Sequence, residues 1–202
     1  MGEVEFWKAP FDSGSKPKPG STFDVIVVGG GPAGSAAASY LAMENKKVLL
    51  LEKESWPRDK ICGDAVGGKS LAHVAALGVK PRLEKNPHFK VTSIIFGAPN
   101  GVPVNIPLPE EEVEKQASGY SLPRIIFDRM LFERAAELVI GGEGFVAQSC
   151  HVKKIIHNNK EGDERVFSGV STNIGDFFAP MIIGAAGYTC PVARAVVKET
   201  YS

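Results

Sequence analysis

The character of the apolar positions changes several times along the chain, and each change marks a new element. From Phe23, "FDVIVVGG" is a continuous β-branched run, the pattern of a strand buried on both faces of a parallel sheet. "GPAGSAAASYLAMENKK" follows with the small and apolar residues of a helix packed closely on a sheet, and "KVLLLEKE" is a second uniformly apolar run. Together they predict one βαβ unit.

Beyond it, "KSLAHVAALGV" predicts a short helix ending at Gly78, and "FKVTSIIFGAPNGVPVNIPL" predicts two strands turned at "PNG". The acidic "PEEEVEK" is expected to be a solvated face. A helix is predicted over "PRIIFDRMLFERAAELVI", with Phe127, Met130, Leu131, Ala135 and Leu138 on one stripe and Pro123 near the first turn. "FVAQSCHVKKIIHN", "ERVFSGVSTN" and "FFAPMIIGAAG" read as three more strands. Residues 1–22, rich in Pro, Gly, Ser and Lys, are expected to form a flexible arm before a single domain over 23–202.

At 202 residues, with 44% hydrophobic and 23% charged, the chain is long enough for a real core. Lys plus Arg and Asp plus Glu balance at 23 each, so no bulk charge draws it to nucleic acid or an anionic membrane. Cys62, Cys150 and Cys190 are an odd count without a CxxC pair, which argues against a disulfide scaffold or zinc site. His73, His88, His151 and His157 show no ligand-like spacing, so no metal is expected. The polar start of the sequence and the lack of an apolar run of about 18 residues lead to the expectation of no signal peptide and a cytoplasmic protein whose membrane contact, if any, is peripheral.

The chemistry enters at Gly29, Gly31 and Gly34, a GxGxxG placed between a predicted strand and a predicted helix. Gly29 allows the tight turn, Gly31 lets backbone N–H groups approach a pyrophosphate, and Gly34 lets the helix lie close to the strand. Pro32 and Ala33 share the loop, and the helix N-terminus attracts the anion. Glu52, followed by Lys53, ends the second strand 18 residues after Gly34, where a carboxylate can accept hydrogen bonds from a ribose diol. A 2′-phosphate would be repelled there, so FAD or NAD fits better than NADP. The fingerprint does not choose between those two.

In "WPRDKICGDAVGGKS", Cys62 is open between a reactive group held over a cofactor and a small buried residue in a turn. "DVIVVGGGPAGSAAASYLA", "PRDKICGDAVGG", "YSLPRIIFDRMLFERAA" and "MIIGAAGYTCPVARAV" occur in the order seen in the geranylgeranyl reductase family of FAD-dependent oxidoreductases, which the chain resembles from residue 23 to about 197. The resemblance implies an α/β fold of the para-hydroxybenzoate hydroxylase kind. Its parts are a Rossmann-like FAD-binding domain with a parallel sheet, a crossing β-meander and, over 89–108, a hairpin of a partial β substrate domain.

The resemblance also implies that Cys62, Gly63 and the Ala65 backbone border the flavin ring, and that Arg124 contacts the FAD diphosphate or ribose. Arg58 and the Val152 backbone are placed near the adenosine, and Gly187 on the cofactor-binding turn. A thiol near the reacting carbon could give or relay the proton that accompanies hydride addition to an alkene. Outside the resemblance, Arg124 could simply pair with Asp128 at i,i+4, and the charges of "PRDK" could be solvated.

Two departures from the family stand out. Ala186 replaces the Asp of a motif usually written GADGxxSxVR, with Cys190 where Ser is usual, and the chain stops at Ser202, before a Gly-Asp motif and most of the substrate cavity. The expectation is therefore either a fragment or a diverged protein. The function implied is reduction of prenyl C=C bonds in isoprenoid lipids or pigment precursors, with NAD(P)H or another reductant as electron donor. A flavin monooxygenase or halogenase of the same fold, or a non-catalytic FAD- or ADP-binding module, are the alternatives.

Overall fold

The computed structural model describes residues 17–61, 63–114, 119–159 and 165–200. The chain divides into two compact units, Trp7–Arg58 with Asp128–Ser202, and Met1–Phe6 with Asp59–Phe127. Residues 59–127, which include the hairpin expected over 89–108, thus fall in a unit of their own.

The first of these units is built on a parallel sheet. Strands β1 (Val25–Val28) and β2 (Val48–Leu51) are joined through helix α1 (Pro32–Met43), which is the predicted βαβ unit. All eight strand residues are buried, as their uniform apolarity requires. Alternate side chains then serve two cores, because a strand points successive residues to opposite faces. Val25, Val27, Val48 and Leu50 pack with Ala38 and Ala42 of α1 and with Phe132, Ala135, Ala136 and Val139. Those four belong to α5 (Arg124–Gly141), the long helix predicted from its apolar stripe.

Ile26, Val28, Leu49 and Leu51 face the other way, onto Ile155, Val170 and Phe177. These come from an antiparallel sheet of β9 (Val152–Asn159), β10 (Arg165–Thr172) and β11 (Asp176–Phe178), the expected crossing meander. The unit is therefore three layers, helices, parallel sheet and meander.

Strands β8 (Phe145–Ala147) and β12 (Met181–Gly184) complete the parallel sheet in the order β12-β1-β2-β8. Here the predicted elements are redrawn. "FVAQSCHVKKIIHN" was expected to be one strand but splits between two sheets, because Ser149 turns the backbone at φ 51° and the N–H groups of Ser149 and Cys150 donate to the carbonyls of Glu54 and Glu52. "FFAPMIIGAAG" likewise divides into β11 and β12 around Ala179 and Pro180, a residue with no N–H to carry a ladder. After β12 come one 3-10 turn (Gly187–Thr189) and helix α6 (Pro191–Thr200).

The expected arm also ends earlier than residue 22. Pro17 is buried, the Gly20 N–H donates to Asp176 O at 2.8 Å, the Phe178 N–H donates to Ser21 O, and Thr22 bridges Phe178. Residues 17–22 are thus tied to β11. Residues 1–16 of the arm lie outside the described residues.

The unit over residues 59–127 is assembled from short pieces. Helix α2 (Lys69–Ala76) stops as predicted near Gly78, whose φ is 72°, and α3 (Lys80–Lys85) follows at once, a helix the apolar pattern did not announce. A small sheet orders β3 (Ala65–Val66), β7 (Tyr120–Ser121) and β4 (Phe89–Lys90) as β3-β7-β4. The predicted hairpin is present as β5 (Ser93–Gly97) and β6 (Pro103–Pro107), turned by a Gly101 N–H donating to Ala98 O. The acidic stretch forms helix α4 (Glu110–Glu114).

Candidate functional site

The site begins where β1 ends. Gly29 N–H donates to Leu51 O at 2.7 Å and takes φ 111°, and a Cβ there would lie 2.6 Å from the Ala185 carbonyl group. At Gly34 a Cβ would lie 1.8 Å from Gly29 O, so only glycine lets α1 sit this close to the loop. Helix α1 then opens at Gly31 with Pro32 at its start, with no side chain capping it and no acidic residue in the first turn. The first N–H groups of the helix are left for an anion to satisfy, and the helix dipole favours one.

Glu52 closes the loop from below. Its Oε2 accepts the Gly30 N–H at 2.7 Å and its Oε1 accepts the Glu54 N–H at 3.0 Å, and the residue is 3% exposed. A buried carboxylate demands a cation, and Arg58 supplies it. The guanidinium lies 3.6 Å from Glu52 Oε2, 3.8 Å from Asp128 Oδ2 and 4.5 Å over the Trp56 ring, which itself stacks on Phe132. It also covers Gly31, where a Cβ would approach Nη2 to 3.4 Å. The ion pairs are longer than hydrogen bonds, and Arg58 Nε is buried without a hydrogen-bond partner. The planar fork is therefore held in place by charge and stacking, with donor capacity in reserve.

The structure brings together Gly29, Gly31, Pro32, Ala33, Gly34, Glu52 and Arg58, with Ala185 and Ala186 against the first glycine. Lys53 is exposed beside them and pairs with Glu54 at 3.5 Å. Gly187 opens the 3-10 turn at φ 73°, and Val152 begins β9, packed against the core under the parallel sheet. Cys190 is buried just before α6, accepting the Arg194 N–H on its carbonyl.

Gly63, Ala65 and Arg124 belong to the other unit. Within it, Gly63 is open, Ala65 pairs with Ser121 in the small sheet, and the Arg124 N–H donates to Asp64 Oδ1 at 3.2 Å at the start of α5. Cys62 lies outside the described residues.

Two members of the site escaped the sequence reading. Asp128 was weighed only as a partner for Arg124, yet it pairs with Arg58, 70 positions away in the chain. Trp56 carried no assignment. The signal was present in "WPRDK", an aromatic two residues before an arginine and four residues after the acidic strand end.

A family model described as an FAD binding domain matches residues 22–200. The chain belongs to the FAD binding domain family. It is 33% identical over 174 residues to digeranylgeranylglycerophospholipid reductase 1 of Methanococcoides burtonii, which is 85% of this chain and 39% of that protein. Among solved structures it resembles the myxobacterial chondrochloren halogenase, an FAD-dependent halogenase, with TM-score 0.68 and 27% identity over 84% of this chain and 38% of the other. A geranylgeranyl bacteriochlorophyll reductase-like protein from Thermoplasma acidophilum matches with TM-score 0.57 and 26% identity over 83% and 40%. The chain thus spans less than half the length of these relatives. The chain is an α/β protein with a parallel sheet, and its family is one of FAD-dependent oxidoreductases.

The loop fits the diphosphate of FAD by its own geometry, through the uncapped α1 terminus, which the close packing at Gly29 and Gly34 positions, and the unpartnered Nε of Arg58. Among the described residues no helix is long and apolar enough to cross a membrane, and no group of three His, Cys, Asp or Glu is placed to hold a metal.

Proposed function

We infer that this chain is the FAD-holding portion of a flavin-dependent reductase that saturates prenyl C=C bonds of isoprenoid lipids. The observation that carries this reading is the 33% identity over 174 residues to a digeranylgeranylglycerophospholipid reductase, a stretch long enough to include the glycine loop and Glu52. Gly29, Gly31, Pro32, Ala33 and Gly34 would hold the diphosphate, Glu52 the ribose, and Arg58 the phosphate or adenosine side. Gly63, Ala65, Arg124, Val152 and Gly187 are carried into the site by the family resemblance alone.

Bound FAD, reduced by NAD(P)H or another donor, would supply hydride to one alkene carbon. Cys62 would provide the proton for the other. The Cys62→Ser variant then keeps the flavin-holding contacts and loses alkene reduction when the chain is part of a full-length enzyme.

The hairpin is the substrate-side element of this reading. Its register puts Ile94, Phe96, Val104 and Ile106 on one face, all between 47% and 57% exposed. An apolar face of this kind suits a prenyl chain. Hydrogen exchange slowed in residues 93–107 by a prenyl lipid, and not by its headgroup alone, supports that assignment.

The first experiment is a visible spectrum of the purified chain before and after adding FAD and desalting. A retained flavin band supports the cofactor reading, whereas a colourless chain overturns it for this chain alone.

The halogenase likeness favours a second reading, in which reduced flavin reacts with oxygen. Product formation that stops without oxygen would select it. Continued alkene reduction under anaerobic conditions would select the first.

A further inference from the structure

Glu52 presents a paradox for a ribose-binding residue. Its two oxygens already accept the Gly30 and Glu54 N–H groups, Arg58 lies against it, and only 3% of the residue reaches solvent. A ribose diol would share this carboxylate with the guanidinium 3.6 Å away. Arg58 in turn makes only long ion pairs, at 3.6 Å and 3.8 Å, keeps its buried Nε without a partner, and rests over Gly31 at the opening of α1.

We propose that Arg58 is an electrostatic latch, held on Glu52 and Asp128 and drawn onto the phosphates of an entering nucleoside diphosphate, which frees Glu52 for the ribose. This rests on the proposed placement of the FAD diphosphate at the α1 terminus. It goes further by making phosphate recognition the condition for ribose recognition.

The physical basis is an exchange of long ion pairs for bidentate hydrogen bonds to the phosphates, while Glu52 keeps the Gly30 and Glu54 N–H donors that hold its charge. Adenosine, which has no phosphate, offers Arg58 nothing in return and must open the latch unaided. Trp56 keeps the stem in line during the exchange, because the guanidinium slides on its ring face. A ligand shifts such an equilibrium only by the difference in its affinity for the two positions, and that difference lies in the phosphates.

The test compares adenosine, ADP and inorganic pyrophosphate by calorimetry on the full chain and on Arg58→Gln and Arg58→Lys. In wild type, ADP is expected to bind far better than adenosine. In Arg58→Gln, ADP is expected to weaken roughly 10- to 100-fold, the loss of charge-assisted hydrogen bonds, while adenosine stays equal or tightens. Arg58→Lys keeps the charge and is expected to fall between the two.

A second readout does not depend on the variants folding. In a Trp7→Phe background, pyrophosphate alone should change Trp56 emission as the cation leaves its ring, and high salt without pyrophosphate should not. Adenosine and ADP weakening in parallel in both variants, or pyrophosphate leaving Trp56 emission unaltered, overturns the latch while FAD retention can still stand. Wild type that binds neither ADP nor FAD overturns the latch together with the cofactor reading.

Discussion

Strand β1 and the β5–β6 hairpin are made of the same kind of residue and meet opposite fates. Val25, Ile26, Val27 and Val28 are at most 4% exposed, whereas Ile94, Ile95 and Phe96 are 47–66% exposed. Intrinsic strand preference therefore does not decide burial. β1 has a paired strand on each side and a packed layer on each face, so every β-branched side chain finds partners. Among the described residues the hairpin is a two-stranded sheet with both outer edges unpaired and its apolar face open. An apolar run thus predicts a strand, and only its neighbours predict a core.

The comparison breaks hardest at the glycine loop. In Gly34→Ala the new Cβ would meet Gly29 O at 1.8 Å, and backbone on backbone cannot yield cheaply. The expected cost exceeds about 4 kcal/mol, and a urea unfolding curve should show it together with loss of any retained flavin. A loss under about 1 kcal/mol would mean that α1 is free to move away from β1.

A paired substitution sharpens the contrast. Phe132 is fully buried, stacked on Trp56 at 5.2 Å, with its ring filling the space where a Cβ on Gly30 would sit. Phe132→Ala should cost about 3 kcal/mol or more through the cavity it leaves. Phe96→Ala on the hairpin, the same chemical deletion, should stay within about 0.5 kcal/mol. Equal losses at the two sites would show that something covers the hairpin in solution.

What was legible in the sequence divides along the same line. The βαβ unit, the glycine roles, Glu52 at the strand end and the long helix could be read because each depends on residues near in sequence and on one repeated period. The PNG turn was legible for the same reason, since the chemistry of a turn is local. The two divided strands were not, because their apolar runs continue across a change of sheet, and only Ser149 with φ 51° and Pro180 mark the break. Nor was the Arg58–Asp128 pair, which joins a loop to a distant helix and leaves no periodic trace. A single apolar run supports a strand assignment, and it says nothing about which sheet receives the strand.

A milder effect concerns the raised Tyr120 phenol. In the unit over residues 59–127, Tyr120 is fully buried and its hydroxyl donates to Glu84 Oε1 at 2.7 Å, with Lys80 3.8 Å from the same carboxylate and the His88 ring edge-on at 5.2 Å. Burial first, then the hydrogen bond to Glu84 and its negative charge, raises the phenol well above its ordinary value. The folded state therefore holds this proton at pH values where the unfolded chain releases it. Its contribution is fully present below the ordinary phenol range near 10 and declines as pH rises through that value towards the raised one. Tyr120→Phe should cost about 1 kcal/mol at neutral pH, the net value of one hydrogen bond to a part-exposed acid, and should flatten the alkaline fall in stability. Denaturation curves of both proteins at neutral pH and above pH 10 measure this directly. If the two fall in parallel with rising pH, the buried phenol is not the group that ties this unit's stability to alkaline conditions.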